Sequence, residues 1–228
     1  MIKVAIVGAS GYTGAELVRI LVNHSQVELV CLTSETYQGQ EFTQLYPNLL
    51  GRCNLKFISY DANQVKKQAG IIFVALPHGQ PMKVIPELLD DRHKVIDLSG
   101  DFRFADKEIY EKWYKIIHLA PQFLGKAVYG LSELNRERIK KTNFVSNPGC
   151  YPTGALLGIA PALKQGLVDP KSIIIDAKSG VSGAGRTLTA EVHFAQCGDS
   201  MKAYDIATHK HIPEMEQEGG KMLPHAVL

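Results

Sequence analysis

Lys3-Val4-Ala5-Ile6-Val7-Gly8-Ala9-Ser10-Gly11-Tyr12-Thr13-Gly14 is the segment from which the fold can be read. An apolar run of strand length leads directly into three glycines spaced G-x-x-G-x-x-G. The segment Gly14 to Val22 then sets Leu17, Val18, Leu21 and Val22 on one helical face. Strand, glycine turn and helix in that order open a βαβ unit. Glycine is needed where the backbone turns sharply and approaches a pyrophosphate, whose charge then rests on the helix N-terminus. The spacing departs from the commoner G-x-G-x-x-G, so its placement between strand and helix carries more weight than the motif itself.

Beyond this turn, strand-like and helix-like runs keep alternating, the pattern of a mostly parallel sheet. Strands are predicted at Val27 to Leu32, Ile71 to Leu76, Val95 to Leu98 and Asn143 to Ser146, with a helix through Val84 to Leu89. This predicts an α/β fold whose N-terminal domain, residues 1–147, is a Rossmann-like parallel sheet. After Cys150 come a predicted helix from Pro152 to Leu163, a strand at Ile173 to Ala177 and a Gly/Ser-rich loop from Ser179 to Gly185. They predict a second, α+β domain over 148–228. The stretch Glu218 to His225 lacks apolar periodicity and reads as irregular.

Bulk properties narrow the function classes. With 45% hydrophobic and 21% charged residues the composition is that of a globular chain able to build its own core. A net charge of +2 and no like-charged block longer than a pair such as Lys66-Lys67 give no stripe for nucleic acid. No apolar run approaches membrane-spanning length, and no charged leader precedes the first strand. The cysteines Cys31, Cys53, Cys150 and Cys197 form no C-x-x-C, so neither a metal site nor a disulfide framework is expected, and a cytoplasmic setting is.

One cysteine stands apart. Cys150 lies in Ser146-Asn147-Pro148-Gly149-Cys150-Tyr151-Pro152, between a predicted strand and a predicted helix. A helix N-terminus favours the thiolate, the form that attacks. A thiolate needs an acid/base partner, and His209-Lys210-His211-Ile212-Pro213-Glu214 is the densest histidine placement. His78, after the strand ending near Leu76, is a candidate for the cofactor crevice. Arg103 and Arg186 are candidate anion clamps, because the guanidinium fork matches carboxylate and phosphate. At the end of the second strand, Thr33 and Ser34 offer hydroxyls to a 2′-phosphate and Glu35 offers a carboxylate to a ribose, so the residues leave NADP and NAD both open.

With these motifs in hand, the sequence resembles the N-acetyl-gamma-glutamyl-phosphate reductase family of the semialdehyde dehydrogenase group. The resemblance runs from Gly8 to about Gln217. It rests on the Gly8–Gly14 turn, Leu76-Pro77-His78-Gly79, Asp97-Leu98-Ser99-Gly100-Asp101-Phe102-Arg103 and Tyr129-Gly130-Leu131-Ser132-Glu133. It rests further on Asn147-Pro148-Gly149-Cys150-Tyr151-Pro152-Thr153, Ser179 to Arg186 and the histidine motif. It implies NADPH-dependent reduction of an acyl phosphate to a semialdehyde through a thioester on Cys150, with His211 as acid/base and His209 the alternative. It further implies NADP held by Gly8, Ser10, Gly11, Tyr12, Thr13, Gly14, Ser34, Pro77, Ser182 and Gly183, and substrate held by Arg103, Asn147, Arg186 and His209. A homo-oligomer is expected.

A related family acting on aminoadipyl phosphate shares most of these motifs, and an inactive dinucleotide-binding fragment is the other alternative. Family members continue well beyond the histidine motif, whereas this sequence stops at Leu228. The resemblance therefore implies a catalytic domain incomplete at its C-terminal end, with an unpaired sheet edge and uncovered apolar surface.

Overall fold

The structure, a computed structural model, describes residues 1–222. Its centre is a sheet of seven strands: β1 (Ile2–Val7), β2 (Val27–Thr33), β3 (Phe57–Ile58), β4 (Ile71–Val74), β5 (Lys94–Asp97), β6 (Val128–Tyr129) and β7 (Phe144–Ser146). Their order is β3-β2-β1-β4-β5-β7-β6, and every pairing is parallel. From Val4 to Val7, β1 is buried without alternation, as a central parallel strand covered on both faces must be. The helices are α1 (Tyr12–Leu21), α2 (Phe42–Leu45), α3 (Ala62–Gln68), α4 (Pro81–Leu88), α5 (Lys107–Tyr114), α6 (Ser132–Lys141), α7 (Cys150–Lys164), α8 (Phe194–Cys197) and α9 (Ile212–Gly220).

Two cores cover the sheet. Val18 and Leu21 of α1 join Val4, Ile6, Phe42 and Phe57 on one side. Met82, Ile85 and Leu88 of α4 join Val65, Val74, Phe102 and Tyr110 on the other. A smaller cluster of Tyr129, Leu131 and Leu156, with Met222 against it, seats α7 beside β6.

The strand order reverses between β1 and β4, which opens a crevice at the carboxyl ends of the strands. The turns after β1, β4, β5 and β7 carry the Gly8–Gly14, Pro77–Gly79, Ser99–Arg103 and Asn147–Cys150 motifs, so all four emerge along this one edge.

Two expectations do not hold. No strand forms at Ile173 to Ala177, where Ile174 is 92% exposed. All seven strands of the described residues lie in the first sheet, and apolar β-branched residues cannot make a strand without a neighbouring backbone to complete the ladder. Glu218 to Gly220, read as irregular, form the last turn of α9, with Glu218 and Gly219 buried. Packing against α7, where Gly219 faces Leu156, supplies there what sequence periodicity does not. The rest of that stretch, from residue 223, lies outside the described residues.

Candidate active site

The glycine turn is built by steric demand. Gly8 has φ +87°, and a Cβ there would stand 2.7 Å from the Ala75 carbonyl oxygen, so any other residue is excluded twice. A Cβ on Gly14 would meet the Ala9 Cα at 2.6 Å, which fixes how closely α1 packs on its own turn. Gly11 differs: nothing lies within 4 Å of its missing Cβ. It caps α1 with no side chain bonded to the first-turn amides, leaving open space beside unpaired N–H groups. An uncapped helix start behind a Cβ-free opening fits a dinucleotide pyrophosphate.

Hydroxyls line the neighbouring end of β2. Gly8 N–H donates to Thr33 Oγ1 at 3.2 Å, which commits Thr33 to the turn, and Ser34 Oγ bonds Ser10 Oγ at 3.0 Å. The Glu35 carboxylate accepts the Tyr60 N–H at 2.8 Å. Tyr46 closes this end, its hydroxyl donating to the Ser10 carbonyl at 2.8 Å.

Cys150 is exposed and is the first residue of α7, two positions earlier than the predicted start. The turn before it is held from the far end of the chain. Glu214, fully buried in the first turn of α9, accepts the Gly149 N–H and the Tyr129 hydroxyl, each at 2.8 Å. Its other oxygen accepts Arg103 Nη1 at 3.1 Å. Arg103 also donates through Nε to the Asn147 carbonyl at 2.8 Å and through Nη2 to the Leu98 carbonyl at 3.1 Å.

Arg103, expected as an anion clamp, is buried, and three of its donors go to Glu214 and to two carbonyls of the turns after β5 and β7. Glu214 is a residue of this arrangement to which the sequence reading gave no role. Its signal was present as an acidic residue one position after Pro213, but nothing in a linear pattern marks a carboxylate that will be buried.

His211 lies on the same turn. A Cβ on Gly149 would fall 2.4 Å from His211 Nε2, so glycine is what admits the imidazole beside Cys150. His211 Nδ1 is buried with no hydrogen-bond partner. Burial, then the charges of Arg103 and its basic neighbours, push this histidine down to about 3, so the imidazole rests neutral.

His209 differs. Its Nδ1 accepts the His211 N–H at 3.1 Å, which leaves the ring proton on Nε2 as a donor, and its ring packs edge-on against Tyr151 at 5.2 Å. His78 and Lys210 form a further pair. Gly100 N–H donates to His78 Nδ1 at 2.9 Å, so the His78 proton sits on Nε2, 2.9 Å from Lys210 Nζ. Burial, followed by the nearby Arg103 charge, holds the Lys210 value below that of a free amine.

Arg186, expected to hold substrate, is not gathered at Cys150. Arg186 lies over the Tyr37 ring, 4.9 Å from its centroid, with Nη2 bonded to the Tyr37 hydroxyl. It is thus on the dinucleotide side rather than at the cysteine. Ser182 and Gly183 lie in an exposed 3-10 turn, Val181–Ala184, and Pro77 is exposed just beyond β4. Asn147 holds the turn through its carbonyl and donates from Nδ2 to the Pro148 carbonyl at 3.3 Å.

Residues 3–142 match the semialdehyde dehydrogenase NAD binding domain family, and residues 150–227 match the semialdehyde dehydrogenase dimerisation domain family. The N-acetyl-gamma-glutamyl-phosphate reductase of Desulforudis audaxviator is 49% identical over 222 residues, covering 97% of this chain and 64% of that protein. The protein of the same name from Moorella thermoacetica is 51% identical over 218 residues, 96% of this chain and 63% of the relative. The chain thus spans a little under two thirds of the length of these relatives. Among solved structures, aspartate semialdehyde dehydrogenase II of Vibrio cholerae aligns with a TM-score of 0.52 at 18% identity, over 71% of this chain and 46% of that one, a likeness of fold.

Proposed function

The chain belongs to the semialdehyde dehydrogenase family, and on that footing we propose that it reduces N-acetyl-glutamyl 5-phosphate to N-acetyl-glutamate 5-semialdehyde with NADPH, in arginine biosynthesis. The observation that carries the reading is the Cys150 turn: an exposed thiol at a helix start, with a neutral imidazole packed on the preceding glycine.

The Cys150 sulfur attacks the acyl carbon, the C–S bond forms, and the C–O bond to phosphate breaks. His211, whose Nε2 lies against Gly149, accepts the thiol proton. His209 donates from Nε2 to the substrate oxygen, and Asn147 borders the same turn. The crevice beside Gly8 to Gly14 would hold the dinucleotide, which would supply hydride for reduction of the thioester. His211 then returns a proton as the semialdehyde leaves and the sulfur is freed. Arg103 and Glu214 position the turn rather than touch substrate.

The boundary between the dinucleotide domain, residues 1–147, and the catalytic domain from 148 follows the end of β7. Self-association through the second domain is part of the same reading. Phosphate-dependent reduction of NADP by the semialdehyde tests it. Turnover is expected from the intact chain and none from Cys150→Ser; activity surviving that substitution would falsify the assignment of the nucleophile.

A further inference from the structure

Arg186 comes from the second domain's Gly-rich loop yet lies at the end of β2, on the first domain. Its neighbours there include the Tyr37 and Tyr46 hydroxyls. Tyr37 holds the guanidinium through its hydroxyl and its ring face. Tyr46 bonds the same group and donates to the Ser10 carbonyl, and the Ser10 hydroxyl is paired with that of Ser34 at 3.0 Å. Glu35, the residue that would accept ribose hydroxyls, holds the Tyr60 amide through Oε1.

In a sheet of this topology the adenosine ribose rests at the end of β2. A carboxylate there selects the free 2′-hydroxyl, and an arginine selects a 2′-phosphate. The guanidinium keeps donors beyond the one given to Tyr37, and its planar fork matches a phosphate monoester.

We infer that Arg186 is the residue that selects a 2′-phosphorylated dinucleotide, reaching across from the second domain to close a phosphate site formed with Ser10, Ser34 and Tyr37. The inference rests on the dinucleotide reading of the Gly8–Gly14 turn. It also accounts for where the Gly-rich loop lies, since docking on the first domain through Arg186 brings the two domains together around the cofactor.

Binding by titration calorimetry tests this without turnover, using NADP, NAD, adenosine 2′,5′-bisphosphate and 5′-AMP against the intact chain, Arg186→Gln and Arg186→Lys. Losing charge-assisted bonds to the phosphate weakens NADP and the bisphosphate by about tenfold to a hundredfold in Arg186→Gln. NAD and 5′-AMP bind unchanged, which also shows the variant to be folded. Arg186→Lys, with charge but no fork, falls between. Equal weakening of NAD and NADP, or no change in either, overturns the selector role while leaving the dinucleotide site standing. Failure of the intact chain to bind any of the four overturns both.

Discussion

Asp97 ends β5 with its carboxyl wholly buried, accepting only the Ser99 N–H at 2.9 Å and the Ser99 hydroxyl at 2.8 Å. Burial without a bonded cation pushes it up to about 7, with Asp101 nearby adding to the shift. Because the folded chain holds this proton more tightly than the unfolded one, the group's contribution to stability is full below the ordinary carboxylate value and is lost as pH rises through about 7. Unfolding by urea across that range is expected to show stability falling by a few kcal/mol at most from this group. Asp97→Asn should flatten the slope; an unchanged slope would place the titration elsewhere. His211 moves the opposite way for the same reason, since a buried imidazole avoids charge as a buried carboxyl does.

Among the elements, the site depends on α9 being locked to the turns after β5 and β7. Glu214 ties its first turn to Gly149, Tyr129 and Arg103. Gln217, one turn on, donates to the Arg103 carbonyl at 3.0 Å and accepts from Ala105 at 3.4 Å. Removing one member of a buried ion pair strands the other in low dielectric. Glu214→Ala is therefore expected to destabilise the chain by about 3–5 kcal/mol, read from denaturant midpoints. Glu214→Gln keeps two acceptor bonds and loses the charge, so it should fall short of that loss. If both variants unfold like the parent, the pair does not hold the catalytic turn. Cys150 reactivity toward iodoacetamide provides the second readout, slowed wherever the turn relaxes and His211 leaves Gly149.

Across the folded chain, the asymmetry between the two domains is the dominant physical fact. The sheet covers both its faces, whereas residues 167–206 expose Leu188 at 92%, Phe194 at 84%, Met201 at 81% and Ile206 at 78%. Apolar groups gathered on one segment favour association. Sedimentation equilibrium is expected to find concentration-dependent self-association, reduced by Leu188→Ser with Phe194→Ser; a monomer at all concentrations would contradict this.

Among the described residues, no helix is long and apolar enough to cross a membrane. Local chemistry made much of this architecture readable: the unbroken apolar run of β1, the sterically forced Gly8 and the Gly149–Cys150 helix start need only nearby residues to be what they are. The two-residue strands β3 and β6 escaped, because they exist only by pairing with β2 and β7. Arg103 and Arg186 look alike in sequence, each following a small-residue loop, yet one is buried on Glu214 and the other crosses to Tyr37. The parallel sheet, the glycine turn and the helix start at Cys150 were settled by residue order alone, since these follow from backbone sterics and local periodicity. What each charged side chain faces was settled by the folded packing, because burial and pairing over more than a hundred residues of separation do not depend on neighbours in the chain.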